Sequence, residues 1–166
     1  KYYDKDSELA LQGNVNLPLL EALLDDDFFR APFPKTTGPE LFNLQYLEKA
    51  IQKAQQPNLA VTDILATLAR FSAQGIIQAL ETTVSTPDFE VYVSGGGMHN
   101  PLLMSYLEQY LGRNVKTTFD LGIDPDAKEA VLFALLANEA VAGTSEALAF
   151  IDKFPAISMG KVSFPG

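Results

Sequence analysis

Apolar positions along this chain recur mostly at helical spacing. Pro18 to Leu24 reads as a short helix, with Asn16 as cap and Pro18 near the first turn. Glu40 to Gln55 reads as an amphipathic helix, because Leu41, Leu44, Leu47 and Ile51 fall on one face. Thr62 is placed to cap a long helix from Asp63 to about Thr82, whose inward stripe is Ile64, Leu65, Leu68, Phe71 and Ile76. Gly75 lies within that stripe and marks close packing. Asn100 to Leu111 reads as a fourth helix, with Leu103, Met104, Leu107 and Tyr110 inward. Asp124-Pro125-Asp126 opens a fifth, running to about Val141, in which Ala130, Phe133, Ala134, Ala137 and Ala140 suit tight packing.

Extended segments are few and short. Val91-Tyr92-Val93 favours extended backbone, and Val115 to Thr118 is a second strand candidate, polar enough for a sheet edge. Residues 157–162 could add a third. The second half therefore alternates strands and helices, the pattern of an α/β layer with few strands. Asp25-Asp26-Asp27 reads as a solvated turn, since a metal site needs further converging oxygens. Ala31 to Pro39 carries three prolines and a glycine and reads as a stiff loop, in which Lys35, Thr36 and Thr37 could hold an anion.

The run Val93-Ser94-Gly95-Gly96-Gly97-Met98-His99-Asn100-Pro101 joins a strand to a helix. Three glycines allow a tight bend and keep Cβ atoms out of a ligand's way. Asn100 is a good N-cap, Pro101 fits the first turn, and the amides there attract anions or polar ligand edges. A nucleotide is a reasonable guest, although such a turn is also a common plain connection. The glycine spacing matches neither the dinucleotide fingerprint nor a Walker A loop.

Composition narrows the classes. The 166 residues are 47% hydrophobic, enough for one globular domain with a sizeable core. A net charge of −9 argues against nonspecific affinity for nucleic acid or anionic lipid. The absence of cysteine excludes disulfides and thiolate metal sites, and the one histidine, His99, excludes a multi-histidine centre. No apolar run reaches about 18 residues, so no membrane span is expected. With no secretory signal at its start, the chain is assigned to the cytoplasm. Lys1-Tyr2-Tyr3-Asp4-Lys5-Asp6 reads as the middle of something longer, and the expectation is an excised piece.

Three motifs, in order and spacing, resemble anhydro-N-acetylmuramic acid kinases. They are Pro34-Lys35-Thr36-Thr37-Gly38-Pro39-Glu40-Leu41-Phe42-Asn43, the glycine turn through Leu103, and Leu121-Gly122-Ile123-Asp124-Pro125-Asp126-Ala127-Lys128-Glu129-Ala130 with its continuation to Ala134. The tail motif Met159-Gly160-Lys161-Val162 resembles the family too, so the likeness spans nearly the whole chain. It implies the sugar kinase, Hsp70 and actin superfamily, whose members have two ribonuclease H-like lobes around an ATP cleft. It also implies a reaction: hydrolysis of the 1,6-anhydro ring of anhydro-N-acetylmuramic acid and phosphorylation of O6 by ATP with Mg²⁺. The product is N-acetylmuramic acid 6-phosphate, in cell-wall sugar recycling.

Residues 1–166 resemble the C-terminal lobe as a single domain, an α/β actin-like ATPase lobe that is mostly helical with a small sheet. The family's N-terminal phosphate loop and its Asp-Thr-Gly-Pro-Gly-Asn motif, which carries the catalytic base, are not found in the chain, so no catalytic residue and no metal ligand is assigned. The resemblance gives Gly95, Gly96, Gly97 and Asn100 to the adenosine part of ATP, with His99 a bystander. It gives Glu129 to the sugar, where a carboxylate accepts hydroxyl bonds. The isolated chain is expected to be inactive and to form a homodimer. The competing expectation is a noncatalytic nucleotide-binding or interaction module. A Rossmann dehydrogenase domain is disfavoured by the glycine spacing and the scarcity of strands.

Overall fold

The structure is a computed structural model and describes residues 3–143. The expected strand at 157–162 and the tail motif lie outside the described residues. The chain divides after Thr117 into two units, and each is treated by itself.

The first unit holds α1 (Leu17–Leu24), α2 (Asp27–Arg30), α3 (Leu44–Lys53), α4 (Val61–Thr83), β1 (Tyr92–Val93), α5 (Pro101–Leu111) and β2 (Lys116–Thr117). The two strands pair in parallel, Tyr92 opposite Lys116 and Val93 opposite Thr117. The architecture is thus α/β, mostly helical with a small two-stranded sheet, as expected. The start of each of four helices is fixed by a side chain. Asn16, Asp26, Asn43 and Asn100 each accept a bond from a main-chain N–H of the first turn. The acidic run is accordingly local structure. Asp26 caps α2, while Asp25 ion-pairs with both Arg30 and Lys53.

α4 is the central element and packs against α1, α5 and the turn at Ala10–Gln12. Its buried face carries Ala66, Thr67, Ala69, Ala73 and Ile77, mostly small residues that let neighbours approach closely. On one side Leu19, Leu23 and Ala50 form a core closed by Tyr46, Ile64, Leu68 and Phe71. Leu19 and Leu23 are 0% exposed, each contributing about 2 kcal/mol of burial. On the other side Ala73, Ile77 and Leu107 pack with Leu103, Tyr106 and Val115. The close packing expected at Gly75 is not seen: a Cβ there would stand 3.5 Å from the Phe29 ring, an ordinary van der Waals contact.

Several inward assignments are corrected. Leu44 is 77% exposed, because Asn43 caps α3 there and turns the stripe to Tyr46, Leu47, Ala50 and Ile51. Ile76 and Tyr110 are partly open, their places in the core taken by Ile77 and Tyr106. Thr62 is not a cap. It lies inside α4, where Gly13 packs on its carbonyl, and the cap position is Ala60.

The second unit contains a 3₁₀ turn, Thr118–Leu121, and α6 (Lys128–Ala142). Asp124 does not start α6. Its carboxylate accepts from Asp126 N and its carbonyl from Ala127 N, closing a separate turn, so the helix begins at Lys128. The expected packing of α6 is also corrected. None of its residues is buried, and Phe133 is 68% exposed.

Candidate functional site

The glycine turn follows β1 directly. Gly95 has φ 79° and ψ 180°, a conformation open to glycine and essentially to nothing else. Gly96–His99 then forms a 3₁₀ turn, closed by Met98 N to Gly95 O and Asn100 N to Gly97 O, both 3.1 Å. A Cβ at Gly95 or Gly96 would meet no protein atom within 4 Å, whereas one at Gly97 would stand 3.7 Å from the Leu103 side chain. The first two glycines therefore face open space. Gly95 is required by its backbone, and Gly96 leaves its main chain approachable.

Gly96 and Gly97 open onto a hollow of about 660 Å³, in the range of small-molecule sites, and Gly95 is not among the residues that line it. Gly96, Gly97, His99 and Asn100 line one side, and Asp4, Lys5 and Asp6 line the other. The second wall was not assigned to the site from sequence. Asp6 and Ser7 both take left-handed backbone, φ 54° and 57°, unusual for consecutive non-glycine residues. Asp4 fixes the segment, its carboxylate accepting from Leu9 N and Ala10 N at 2.9 Å each.

Asn100 joins the two walls. Its Oδ1 accepts from Leu103 N at 2.8 Å, the cap bond, and from Ser7 Oγ at 2.7 Å. Since Leu103 N can only donate, the amide orientation is fixed with the oxygen toward the helix and the Nδ2 group as the donor left for other partners. Ser7 is 1% exposed, so this bond is made away from water. Glu129, the other sequence candidate, stands in the second unit, exposed on the first turn of α6. Lys128, which precedes it, is also exposed.

The motifs can be set beside known proteins. The family model described as anhydro-N-acetylmuramic acid kinase matches residues 1–150. This chain belongs to the anhydro-N-acetylmuramic acid kinase family. It is 49% identical to the anhydro-N-acetylmuramic acid kinase of Pseudoalteromonas atlantica over 99% of its own length and 42% of the relative's. The corresponding protein of Pseudoalteromonas translucida is 48% identical over 98% of the chain and 42% of the relative. That of Pasteurella multocida is 46% identical over 84% and 37%. The chain thus spans about two-fifths of the length of these curated relatives. Family membership places the glycine turn and the Glu129 motif inside the matched region.

Electrostatics at the neighbouring sheet are local. Glu90 pairs with Lys116 and accepts from Tyr92 Oη. Those hydrogen bonds hold its carboxyl below the usual carboxylate range, and the same contacts raise Lys116 and Tyr92. Among the described residues no group of three or more His, Cys, Asp or Glu could hold a metal ion, and no helix is long and apolar enough to cross a membrane.

Proposed function

We propose that this chain is the C-terminal, nucleotide-holding lobe of a kinase that opens the 1,6-anhydro ring of anhydro-N-acetylmuramic acid with water and phosphorylates O6 from ATP. The product is N-acetylmuramic acid 6-phosphate, and the setting is cytoplasmic recycling of cell-wall sugars. The lobe is read as ribonuclease H-like, with the two units as parts of one domain. The observation that carries this reading is the glycine turn opening onto a hollow of about 660 Å³, within the stretch that matches the family.

The purine and ribose lie against Gly95, Gly96 and Gly97, where no Cβ intervenes. Asn100 donates from Nδ2 to the nucleoside, its oxygen being held by Leu103 and Ser7. Glu129 accepts from a sugar hydroxyl or orients the attacking water. Mg²⁺ is read as travelling with the nucleotide phosphates, as part of the substrate. No general base is assigned to this chain, and the chain alone is expected not to turn over the sugar. Self-association through an apolar face belongs to the same reading. The exposed side chains Leu132, Phe133 and Leu135 of α6 support it.

The test is calorimetric titration of the chain with ADP, alongside a turnover assay of the complete gene product with ATP and the anhydro sugar. Saturable ADP binding, lost in Gly96→Val, is expected. Binding that survives this substitution, or a complete protein that does not phosphorylate the sugar, overturns the assignment.

A further inference from the structure

A second hollow shares no lining residue with the one at the glycine turn. It is a cleft of about 540 Å³ between α2 with its following loop and the C-terminal half of α4. Phe28, Phe29 and Phe33 form one wall, Phe71, Ile76 and Ala79 the other. The aromatic wall is braced from behind. Phe29 meets Phe42 and Phe71, the Phe71 contact edge-on at 5.5 Å between ring centres. The Phe29 ring lies against α4 beside Gly75. Pro32 and Pro34 stiffen the loop that carries Phe33. Phe33 and Ile76 each keep 39% of their surface open, so apolar area faces the space.

One cation stands in this apolar setting without a counter-charge. Lys35 Nζ donates to Phe28 O at 2.7 Å and to Phe29 O at 3.3 Å, and lies 4.8 Å from the ring centres of both Phe28 and Phe33. These partners are neutral, and no carboxylate among the described residues pairs with it. An ammonium has three N–H groups, so one is left for a further acceptor. Arg30 also lines the cleft, but its guanidinium is engaged by Asp25 and Asp27.

We propose that this cleft is a binding site for a small amphipathic anion: an aromatic or short aliphatic body between Phe33 and Ile76, with a carboxylate on Lys35. Concave, mostly apolar walls with a few placed polar groups, here Lys35 with Ser72, Gln78 and Thr82 at the α4 side, are the usual form of such a site. The charge complementarity selects an acid over a neutral molecule of the same shape. The site does not depend on nucleotide binding at the glycine turn.

The test uses the full chain, uniformly ¹⁵N-labelled, titrated with 3-phenylpropionate and with its neutral counterpart 3-phenylpropan-1-ol. For molecules of this size the expected affinity is about millimolar. The acid should shift the amides of Gly75, Ile76 and Ala79 and bind about fivefold tighter than the alcohol, the scale of one charge-assisted bond at a half-open site. Lys35→Gln should remove that preference and leave alcohol binding unchanged. Lys35 also closes the end of α2, so Ala79→Phe, which fills the cleft from α4, serves as a second variant and should abolish both sets of shifts. The proposal is overturned by equal affinity for acid and alcohol, by an acid preference that survives Lys35→Gln, by shifts that persist in folded Ala79→Phe, or by shifts confined to the exposed apolar side chains of α6. ADP added at saturation should leave the titration unchanged.

Discussion

Ser7 Oγ donates to Asn100 Oδ1 at 2.7 Å, joining residues 93 positions apart beside the glycine turn. The bond is buried on the serine side, and the same oxygen caps α5. Ser7 holds φ 57° to make it. A left-handed residue that is not glycine costs about 1 kcal/mol, and a hydrogen bond of this kind returns about the same. Ser7→Ala keeps the strain and loses the bond, so it should lower unfolding free energy by about 1–2 kcal/mol in urea. Ser7→Gly loses the bond and the strain together and should be the milder of the two. A Gly variant less stable than the Ala variant would contradict this account.

Gly95 and Gly96 should separate fold from site. Gly95→Ala forces a side chain into a glycine-only conformation and should cost about 1–3 kcal/mol. Gly96→Ala meets no protein atom and should change stability by about 0.5 kcal/mol or less. Its effect should instead appear in ADP affinity, measured by calorimetry. A destabilised Gly96→Ala with unchanged affinity would favour a plain connection.

Gly13 is needed for a different reason. Its φ is −97°, which any residue adopts, but a Cβ there would stand 2.1 Å from Thr62 O in the main chain of α4. Gly13→Ala must push the Ala10–Gln12 turn off the helix, at about 1–3 kcal/mol by denaturant melting. Wild-type stability in that variant would show that the approach is not rigid.

Tyr46 links α3 to the end of α1 through its hydroxyl, which donates to Leu23 O. Burial, and after it the charge of Asp26, push the phenol up to about 12. The unfolded phenol ionises near its ordinary value of about 10. Its contribution is therefore fully present below that pH and is lost as pH rises from about 10 towards 12, where the unfolded state sheds its proton first. Tyr46→Phe should flatten the stability profile across that window. An identical decline in both proteins would remove Tyr46 as its cause.

Thr67 is 0% exposed, accepts from Asn16 N at 2.9 Å and donates to Asp63 O at 2.6 Å. Thr67→Val preserves shape and leaves the Asn16 N–H buried without its acceptor, so a loss of about 1–3 kcal/mol is expected in thermal or urea melts. The serine variant, which keeps the hydroxyl, should recover most of it.

The sequence by itself determined the local signals. Asn16 and Asn100 are caps because their short side chains reach main-chain N–H groups three residues ahead, within one stretch of chain. The glycine turn between strand and helix, and its likeness to a kinase family, were legible for the same reason. Only the tertiary structure decided which faces are covered. It moved Leu44 and Ile76 outward, started α4 before Thr62, left α6 bare and set Ser7 against Asn100. Helical period fixes which residues share a face, not what packs on it. A hydrogen bond across 93 positions leaves no periodic trace in either segment.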